Sequence, residues 1–297
     1  MEIRARRVES PSSINTFNLC PRKYYHTYIE KLPTKGNIHT IKGNVVHSVL
    51  ENFFNLQVPE DLDYDRAEVW LKQHLFSLFA RFWKDKKENI KDLEISEGDE
   101  AIGINDCVNM LYLWADQFLQ KAKITGLPIR EAFKILKPLH KEKYFKSKGL
   151  SVQGFVDVIE EKNGKIRLMD YKTSSSSYIG DEYILQLGIY ALLYKENFNS
   201  TPEEVGIYFL RDINGEKVLK VNDNLLNSAK EQIIKHHSKT VSSDIQDYPK
   251  TPGFQCKWAT GQCAYYELCF GVKNNVRKNN LNKDSEVNKQ ILEINPS

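Results

Sequence analysis

Apolar residues recur at spacings of three and four as far as Gly126, which is the pattern of amphipathic helices. Ser12 or Ser13 can cap the first of these helices, and Pro21 interrupts it. Three further helices are predicted, one around positions 41–53 and two longer ones over about 64–88 and 100–122. The charged interval between the two long helices is predicted to be a solvated, flexible linker.

Beyond Gly126 the pattern changes to the alternation of β-strands, rich in β-branched and aromatic residues. Asn163 and Gly164 lie between two such segments and form the strongest short hairpin signal in the chain. An apolar helix follows around positions 182–196, then two strand-like segments beside a second Asn-Gly pair, and a last helix over about 224–237. The pattern therefore predicts an α/β protein.

The composition is that of a globular protein, with 41% hydrophobic and 27% charged residues among 297. Lysine and arginine exceed aspartate and glutamate by only three, which excludes a histone-like polycation but leaves room for a local basic groove. No apolar run approaches the roughly 18 residues of a membrane span, and the first ten residues lack the apolar segment of a secretory signal. We therefore expect a soluble, cytoplasmic protein without a membrane partner.

Two acidic residues and a lysine are the main chemical candidates in the strand region. Asp157 ends the segment GFVD, and Asp170 and Lys172 follow in DYK on the other side of the Asn-Gly turn. Neighbouring hairpin strands would bring the carboxylates together, with the lysine on the same face as Asp170. Such oxygens suit Mg²⁺, which can polarise a phosphodiester and generate hydroxide from water. The same residues could be ordinary surface charges, although the apolar IRLM before Asp170 favours a site.

Four more residues could contribute to this site. Gln186 and Tyr190 lie four apart and share a helix face, which an amphipathic core helix would explain equally well. His47 lies on a predicted helix, where a neutral imidazole can bind a divalent metal but more often packs in the core. Glu142 could add a carboxylate from the preceding strand, in competition with Glu131 and other nearby charges.

Five segments, in this order, resemble the RecB-like branch of the PD-(D/E)XK nuclease superfamily: SSINTFNLCPRKYYHTY, GNVVHSVLE, GFVDVIE, DYKTSS and QLGIY. The branch includes the RecB and AddB nuclease domains, eukaryotic exonuclease V and the CRISPR-associated nuclease that trims spacer precursors. The resemblance implies a restriction-endonuclease-like core, a central mixed sheet flanked by helices, in one domain over 1–272. Its parts would be a helical insertion (about 60–125), a sheet core (about 128–220) and a cysteine region (250–270), followed by a polar tail (273–297).

The same resemblance implies a role for each candidate residue. His47, Asp157, Asp170 and the backbone carbonyl of Tyr171 would bind Mg²⁺ or Mn²⁺. Lys172 would be the catalytic lysine beside the two aspartates. The glutamine and tyrosine that share a helix face would complete the catalytic set by contacting nucleic acid or bracing the site.

Five cysteines in a chain with no export signal favour metal or cluster ligation over disulfides. Cys20 lies in the first helix, and Cys256, Cys263 and Cys269 lie near the end of the chain, whereas Cys107 is predicted to pack in the core. Several relatives in the RecB-like branch hold a 4Fe–4S cluster with one N-terminal and three C-terminal cysteines, so the resemblance implies such a cluster here. Zinc or metal-free thiols are the alternatives, and the gap after Cys256 is longer than is usual in the family.

Two regions could contact nucleic acid. Arg22, Lys23 and Tyr24 mix cations with aromatic rings, which suits phosphate contact and base stacking, although Tyr24 also fits an inward-facing helix surface. Thr173 and the serines that follow it could bind phosphate through hydroxyls and amides, or could form only a flexible loop.

The function that the resemblance implies is metal-dependent hydrolysis of DNA. An exonuclease on single-stranded or unwound ends, of the kind used in DNA repair, is expected because the relatives mostly act on such ends. A CRISPR-adaptation nuclease that works with integrase partners is the first alternative, and a non-catalytic nucleic-acid-binding module of the same fold is the second. A helicase partner is left open.

Overall fold

A five-stranded mixed sheet lies at the centre of the molecule, between two layers of helices. Strands that are neighbours in the sheet are also neighbours in the chain, in the order β1 (His140–Ser147), β2 (Val152–Lys162), β3 (Lys165–Lys172), β4 (Glu204–Phe209) and β5 (Glu216–Lys220). Within this sheet only the β3–β4 pair is parallel. The helix α8 (Asp181–Phe198) makes the crossover that a parallel pair requires. This arrangement confirms the predicted α/β architecture of a mixed sheet flanked by helices.

The computed structural model describes residues 5–34, 36–162, 164–259 and 261–271. The predicted polar tail over 273–297 and Asn163 of the hairpin turn lie outside the described residues. The helices are α1 (Pro11–Leu19), α2 (Pro21–Tyr24), α3 (Ile38–Phe53), α4 (Tyr64–Asp85), α5 (Lys87–Lys91), α6 (Glu97–Ile124), α7 (Ile129–Ile135), α8 (Asp181–Phe198), α9 (Asp223–Lys239) and α10 (Tyr266–Phe270). The strands are β1 (His140–Ser147), β2 (Val152–Lys162), β3 (Lys165–Lys172), β4 (Glu204–Phe209), β5 (Glu216–Lys220), β6 (Lys257–Trp258) and β7 (Gly261–Gln262). A π-helical turn (Tyr25–Ile29) follows α2, and a 3₁₀ turn (Ile245–Asp247) follows α9.

Each face of the sheet packs on its own apolar core. On one face, α3, α4, α6 and α7 form a helical layer that contacts Val158, Met169 and Tyr171 of the sheet. On the other face, α1, α8 and α9 pack on residues such as Leu168 and Ile207. The predicted helical insertion is therefore a layer of the fold that rests on the sheet.

The helix α3 illustrates how the apolar pattern determines the packing. Asn37 caps its first turn by accepting a hydrogen bond from the Thr40 N–H. The apolar residues spaced by four along α3 are all buried, from Ile41 at 8% exposure to Phe53 at 0%. The predicted buried face is thus confirmed, and the same helix carries His47.

The predicted cap of the first helix is wrong by two or three residues. Ser10 is the N-cap, Pro11 occupies the first helical position, and Ser13 completes a reciprocal capping box with Ser10. Proline has no N–H that would need a hydrogen-bond partner at that position, and its ring holds the backbone φ near the helical value. The helix therefore begins earlier than the first apolar residue indicates.

The charged interval after α4 is also not the flexible linker that its composition predicts. It contains the short helix α5, and Ile90 of this helix is 3% exposed because it packs into the core of the helical layer. Leu93 and Ile95 in the same interval also pack, partly buried, against this core, so a few apolar side chains anchor a stretch of otherwise solvated charges.

The predicted hairpin between β2 and β3 is confirmed. Lys162 pairs with Lys165, and Gly164 has a φ of 70°, a left-handed conformation that favours glycine. None of the described helices is both long enough and apolar enough to cross a bilayer.

A buried arginine ties the far end of the sheet together. Arg167 of β3 is 2% exposed and forms ion pairs with Glu160 on β2, Glu204 on β4 and Glu216 on β5. Lys121 of α6 lies 2.6 Å from the other oxygen of Glu216. Burial raises the pKa of Glu216, but the positive charges of Lys121 and Arg167 outweigh burial and lower the pKa to about 2.

Replacing Glu216 by glutamine should therefore lower stability in a pH-dependent manner. Because the folded-state pKa is depressed, the stabilisation is complete above the ordinary carboxyl pKa of 4.5 and is lost as the pH falls toward 2. We expect Glu216→Gln to be less stable than the wild type by about 2 kcal/mol at pH 7 in urea unfolding, with the difference shrinking below pH 4.5. Glu161→Gln, at an exposed position of β2, serves as the control. A difference that is constant between pH 7 and pH 3 would contradict this account.

Candidate active site

Two acidic side chains lie just beyond the last paired residues of β2 and β3. The ladder ends where Val158 pairs with Met169, and Asp157 and Asp170 are the next residues on the two strands. Both are buried, at 8% and 3% exposure. The Tyr171 N–H donates to Asp157 Oδ2 at 2.7 Å and holds that carboxylate beside the end of β3. The structure thus brings together the two carboxylates that the hairpin signal pairs in the sequence.

Three side chains surround the carboxylate of Asp170. The Lys172 Nζ lies 2.6 Å from Oδ2 as an ion pair. The Gln186 Nε2 donates to Oδ1 at 2.8 Å, and the Tyr190 hydroxyl lies 3.4 Å from the same oxygen. Gln186 also donates to the Tyr190 hydroxyl at 2.8 Å, so both residues of the α8 face are part of one network with Asp170.

His47 approaches the same place from the helical layer. Its Nδ1 lies 3.3 Å from Asp157 Oδ2 and 3.8 Å from Glu142 Oε1. Ligand atoms of these three residues all lie within 4.8 Å of one another. The structure therefore places Glu142, which the sequence offered only among competing charges, next to the predicted metal ligands.

The backbone at Glu142 explains how this carboxylate reaches the site. Its φ of 46° is left-handed, and the strand residues on either side of it still pair with β2. On β2, Val156 packs in the core shared with α8, whereas Val158 packs against the helical layer, so the alternation of faces breaks at Asp157. A non-glycine residue held in such a conformation costs roughly 1–3 kcal/mol, a cost that is concentrated at functional sites.

The charges of the site are strongly coupled. Burial lowers the pKa of His47, but the charge of Asp157 and the contacts with Asp157 and Glu142 outweigh burial and raise it to about 10. Burial and the charge of Asp157 raise the pKa of Asp170, against the opposing effect of Lys172. The pKa of Lys172 is raised as well, because the charge of Asp170 outweighs the burial of the ammonium. The imidazolium and the ammonium therefore offset the negative charge of the carboxylates.

The donor set fits a hard divalent cation. Asp170 Oδ2 is buried and, among the described residues, has the Lys172 ammonium as an ion partner but accepts no hydrogen bond. His47, Glu142 and Asp157 bring an imidazole nitrogen and two more carboxylates together, and the charges of Asp157 and His47 act on the pKa of Asp170. Such a group can hold Mg²⁺ or Mn²⁺, and binding would displace the proton that His47 carries.

Two of the N-terminal residues predicted to contact nucleic acid make contacts within the protein instead. Tyr24 is fully buried and its hydroxyl donates to Glu9 at 2.6 Å, so its ring packs in the core and is not open to a nucleic-acid base. Arg22 donates to the carbonyl of Tyr248 at 2.7 Å and therefore braces the chain after α9. Sequence could not separate these roles, because a helix face of tyrosines suits packing and stacking equally.

Four of the five cysteines line one small cavity. Cys20 at the end of α1 meets Cys256, Cys263 and Cys269 there, together with Lys23. Burial raises the pKa of the Cys269 thiol, and the nearby thiols of Cys20 and Cys263 add to the effect. The fifth cysteine, at position 107, is fully buried in the helical layer, which confirms its predicted packing role.

Comparison with known families identifies the class of this protein. A family model of the PD-(D/E)XK nuclease superfamily matches residues 9–270, which is most of the chain. The chain therefore belongs to the PD-(D/E)XK nuclease superfamily, and its mixed sheet between helices agrees with the fold of that family.

Two phage proteins are similar in sequence. The Gene 69 protein of Mycobacterium phage L5 is 25% identical over an alignment of 234 residues that covers 71% of this chain and 78% of the phage protein. The Gene 69 protein of Mycobacterium phage D29 is 24% identical over an alignment of 222 residues that covers 68% of this chain and 74% of the phage protein. A crystal structure of a candidate exonuclease from Eubacterium rectale aligns with 89% of this chain and 94% of its own, at 10% identity and a TM-score of 0.46.

Replacing Gln186 by leucine should weaken metal binding, because Asp170 would lose its 2.8 Å donor while keeping its position. Hydrogen-bond partners behind a metal ligand typically contribute about tenfold or more in affinity, so we expect roughly a tenfold loss for Mn²⁺ by isothermal titration calorimetry. Tyr190→Phe should lose less, since its hydroxyl lies at 3.4 Å. Gln153→Leu, at a glutamine that bonds Tyr144 on the surface, is the matched control. Equal affinities for the wild type and Gln186→Leu would contradict this role.

Proposed function

We propose that the protein is a divalent-metal-dependent deoxyribonuclease that hydrolyses phosphodiester bonds at this site. The observation that carries the proposal is the convergence of Asp157, Asp170 and Lys172 with the His47–Glu142 pair beside the last paired residues of β2 and β3. Membership of the nuclease superfamily supports the same reaction class.

The metal ligands in this proposal are His47, Glu142, Asp157 and Asp170, with the Tyr171 carbonyl as a further oxygen. A Mg²⁺ or Mn²⁺ ion at this place would polarise the phosphodiester and lower the pKa of a bound water. The protein's part is to hold the ligand oxygens before the substrate arrives. Hydrogen bonds from the Tyr171 N–H and from Gln186 do this for the two aspartates.

Lys172 is the residue that would act on the substrate directly. Its ammonium is fixed 2.6 Å from Asp170, so it can orient the attacking water and offset the charge that develops on the phosphoryl oxygens. Its pKa is raised, so it holds its proton at neutral pH and acts as a fixed positive charge. The ammonium then stabilises charge in the transition state rather than abstracting a proton.

The substrate in this proposal is single-stranded DNA or an unwound duplex end. Support comes from the resemblance of the five sequence segments to the RecB-like branch, whose members mostly act on such ends. Thr173 and Lys23 remain candidates for phosphate contact, since Thr173 directly follows the catalytic lysine and Lys23 lines the cysteine cavity.

We also propose that the four converging cysteines hold a 4Fe–4S cluster. Four thiolates suit such a cluster, and tetrahedral zinc is the alternative. The cluster would connect Cys20, at the end of α1, to Cys256 and the other cysteines after α9. Most of the chain lies between these two segments. Closing so long a loop restricts the unfolded chain and would stabilise the sheet core between the two ends.

End-labelled single-stranded DNA tests the nuclease proposal. We expect the wild type to degrade it with Mg²⁺ or Mn²⁺, and Lys172→Met to be slower by about 10²-fold or more because a preorganised charge is removed. Lys165→Met, at the exposed start of the same strand, is the control and should retain full activity. Circular DNA distinguishes an endonuclease, and labels at the 5′ and 3′ ends give the direction. A wild type that is inert with both metals would favour the non-catalytic binding module.

Anaerobic purification tests the cluster proposal. The protein should be brown and contain iron and sulfide at about four of each per chain. Cys20→Ser should lose iron and unfold at a lower temperature, whereas Cys107→Ser should retain it, because Cys107 packs away from the cavity. Iron-free protein with stoichiometric zinc would replace the cluster by a zinc site, and protein free of both metals would contradict metal ligation.

A further inference from the structure

One carboxylate on α6 binds two cations from different parts of the fold. Asp106 Oδ2 lies 2.6 Å from Lys42 Nζ of α3 and 2.6 Å from Arg211 Nη2, while Arg211 Nη1 contacts the other oxygen. Burial raises the pKa of Asp106, but Arg211 and Lys42 outweigh burial and lower it. Its side chain is only 20% exposed, so these contacts are better protected from solvent than an ordinary surface ion pair.

Arg211 extends this contact to the strand that carries the catalytic lysine. Its Nε donates to the carbonyl of Thr173 at 2.8 Å, and the N–H of Leu210 donates to the carbonyl of Lys172 at 2.9 Å. β3 ends at Lys172, so Thr173 is the first residue beyond the strand. The planar guanidinium is thus held by a carboxylate on one side and by the end of β3 on the other.

Lys42 lies on α3, the helix that carries His47, and brings this helix to the Asp106 carboxylate. It is 8% exposed and lies five residues before His47 on α3. The next residue, Gly43, faces Thr173 closely: a Cβ placed on Gly43 would be 3.6 Å from Thr173 Oγ1. The helix of His47 and the end of β3 therefore approach each other beside the Asp106 carboxylate. Without that negative charge, Lys42 and Arg211 would repel each other across this contact.

We propose that Asp106 is a positioning residue that sets the spacing between the His47 helix and the Lys172 end of β3. The inference rests on the proposed nuclease function, for which both of these residues are needed. Among the described contacts, Asp106 bonds Lys42 and Arg211 and none of the metal-binding residues. In this proposal its influence on the reaction passes through geometry, where a displacement of about 1 Å can cost about 10²-fold in rate.

Asp106→Asn tests the proposal because asparagine keeps the shape and removes the charge. On end-labelled DNA we expect kcat to fall about 10- to 100-fold while KM changes by less than about threefold. In the metal-free protein, hydrogen exchange of peptides covering residues 169–178 should become at least about tenfold faster. Arg211→Lys keeps the positive charge and the Lys42–Asp106 pair but lacks the planar fork, so it should show both effects even if Asp106→Asn fails to fold.

The matched control is Asp116→Asn on the same helix. Asp116 pairs with Lys72 of α4 at 2.7 Å, an ion pair between two helices of the helical layer. This variant should keep the wild-type kcat and the wild-type exchange over residues 169–178. The proposal is overturned if Asp106→Asn and Arg211→Lys both behave like the wild type, or if Asp116→Asn changes rate and exchange as much as they do.

The exchange measurement separates this proposal from the nuclease proposal. If the wild type cleaves no DNA, the nuclease function fails by itself, and the comparison of exchange rates still decides the role of Asp106. Faster exchange in Asp106→Asn but not in Asp116→Asn supports the positioning role, whereas equal exchange in the two variants overturns it.

Discussion

The repulsion between two buried carboxylates is the constraint on which this structure depends. Asp157 and Asp170 lie on adjacent strands just beyond the last paired residues, where little water screens their charges. The positive charges of His47 and Lys172 and the hydrogen bonds from Gln186 and the Tyr171 backbone offset that repulsion. These groups come from α3, from α8 and from β3, so both helical layers and the sheet contribute to the balance of charge at one pair of acids.

Much of the fold could be predicted from the sequence because the signals are local. Spacings of four on α3 give its buried face, and the Gly164 turn sets the pairing of β2 and β3. The errors also have local causes. Charge composition alone cannot show that Ile90 anchors the segment after α4, and the cap at Ser10 depends on a proline that the apolar pattern does not register.

The candidate site could be predicted in part, for the same reason. Asp157, Asp170 and Lys172 follow from a hairpin and a strand period, whereas Glu142 depends on a left-handed backbone that no residue pattern indicates. The contact of Asp106 with Arg211 joins residues 105 positions apart, so no helix or strand periodicity can predict it. Long-range ion pairs of this kind are visible only once the layers are assembled.

The break in alternation at Asp157 has a consequence for how the site can change. Because β2 presents Val156 to one core and Val158 to the other, the proposed metal-binding region lies at the boundary of both. His47 is carried by one helical layer and Gln186, the donor behind Asp170, by the other. Packing substitutions in one layer can therefore shift His47, and those in the other can shift Gln186, which gives evolution two separate routes to tune the same site without replacing either residue.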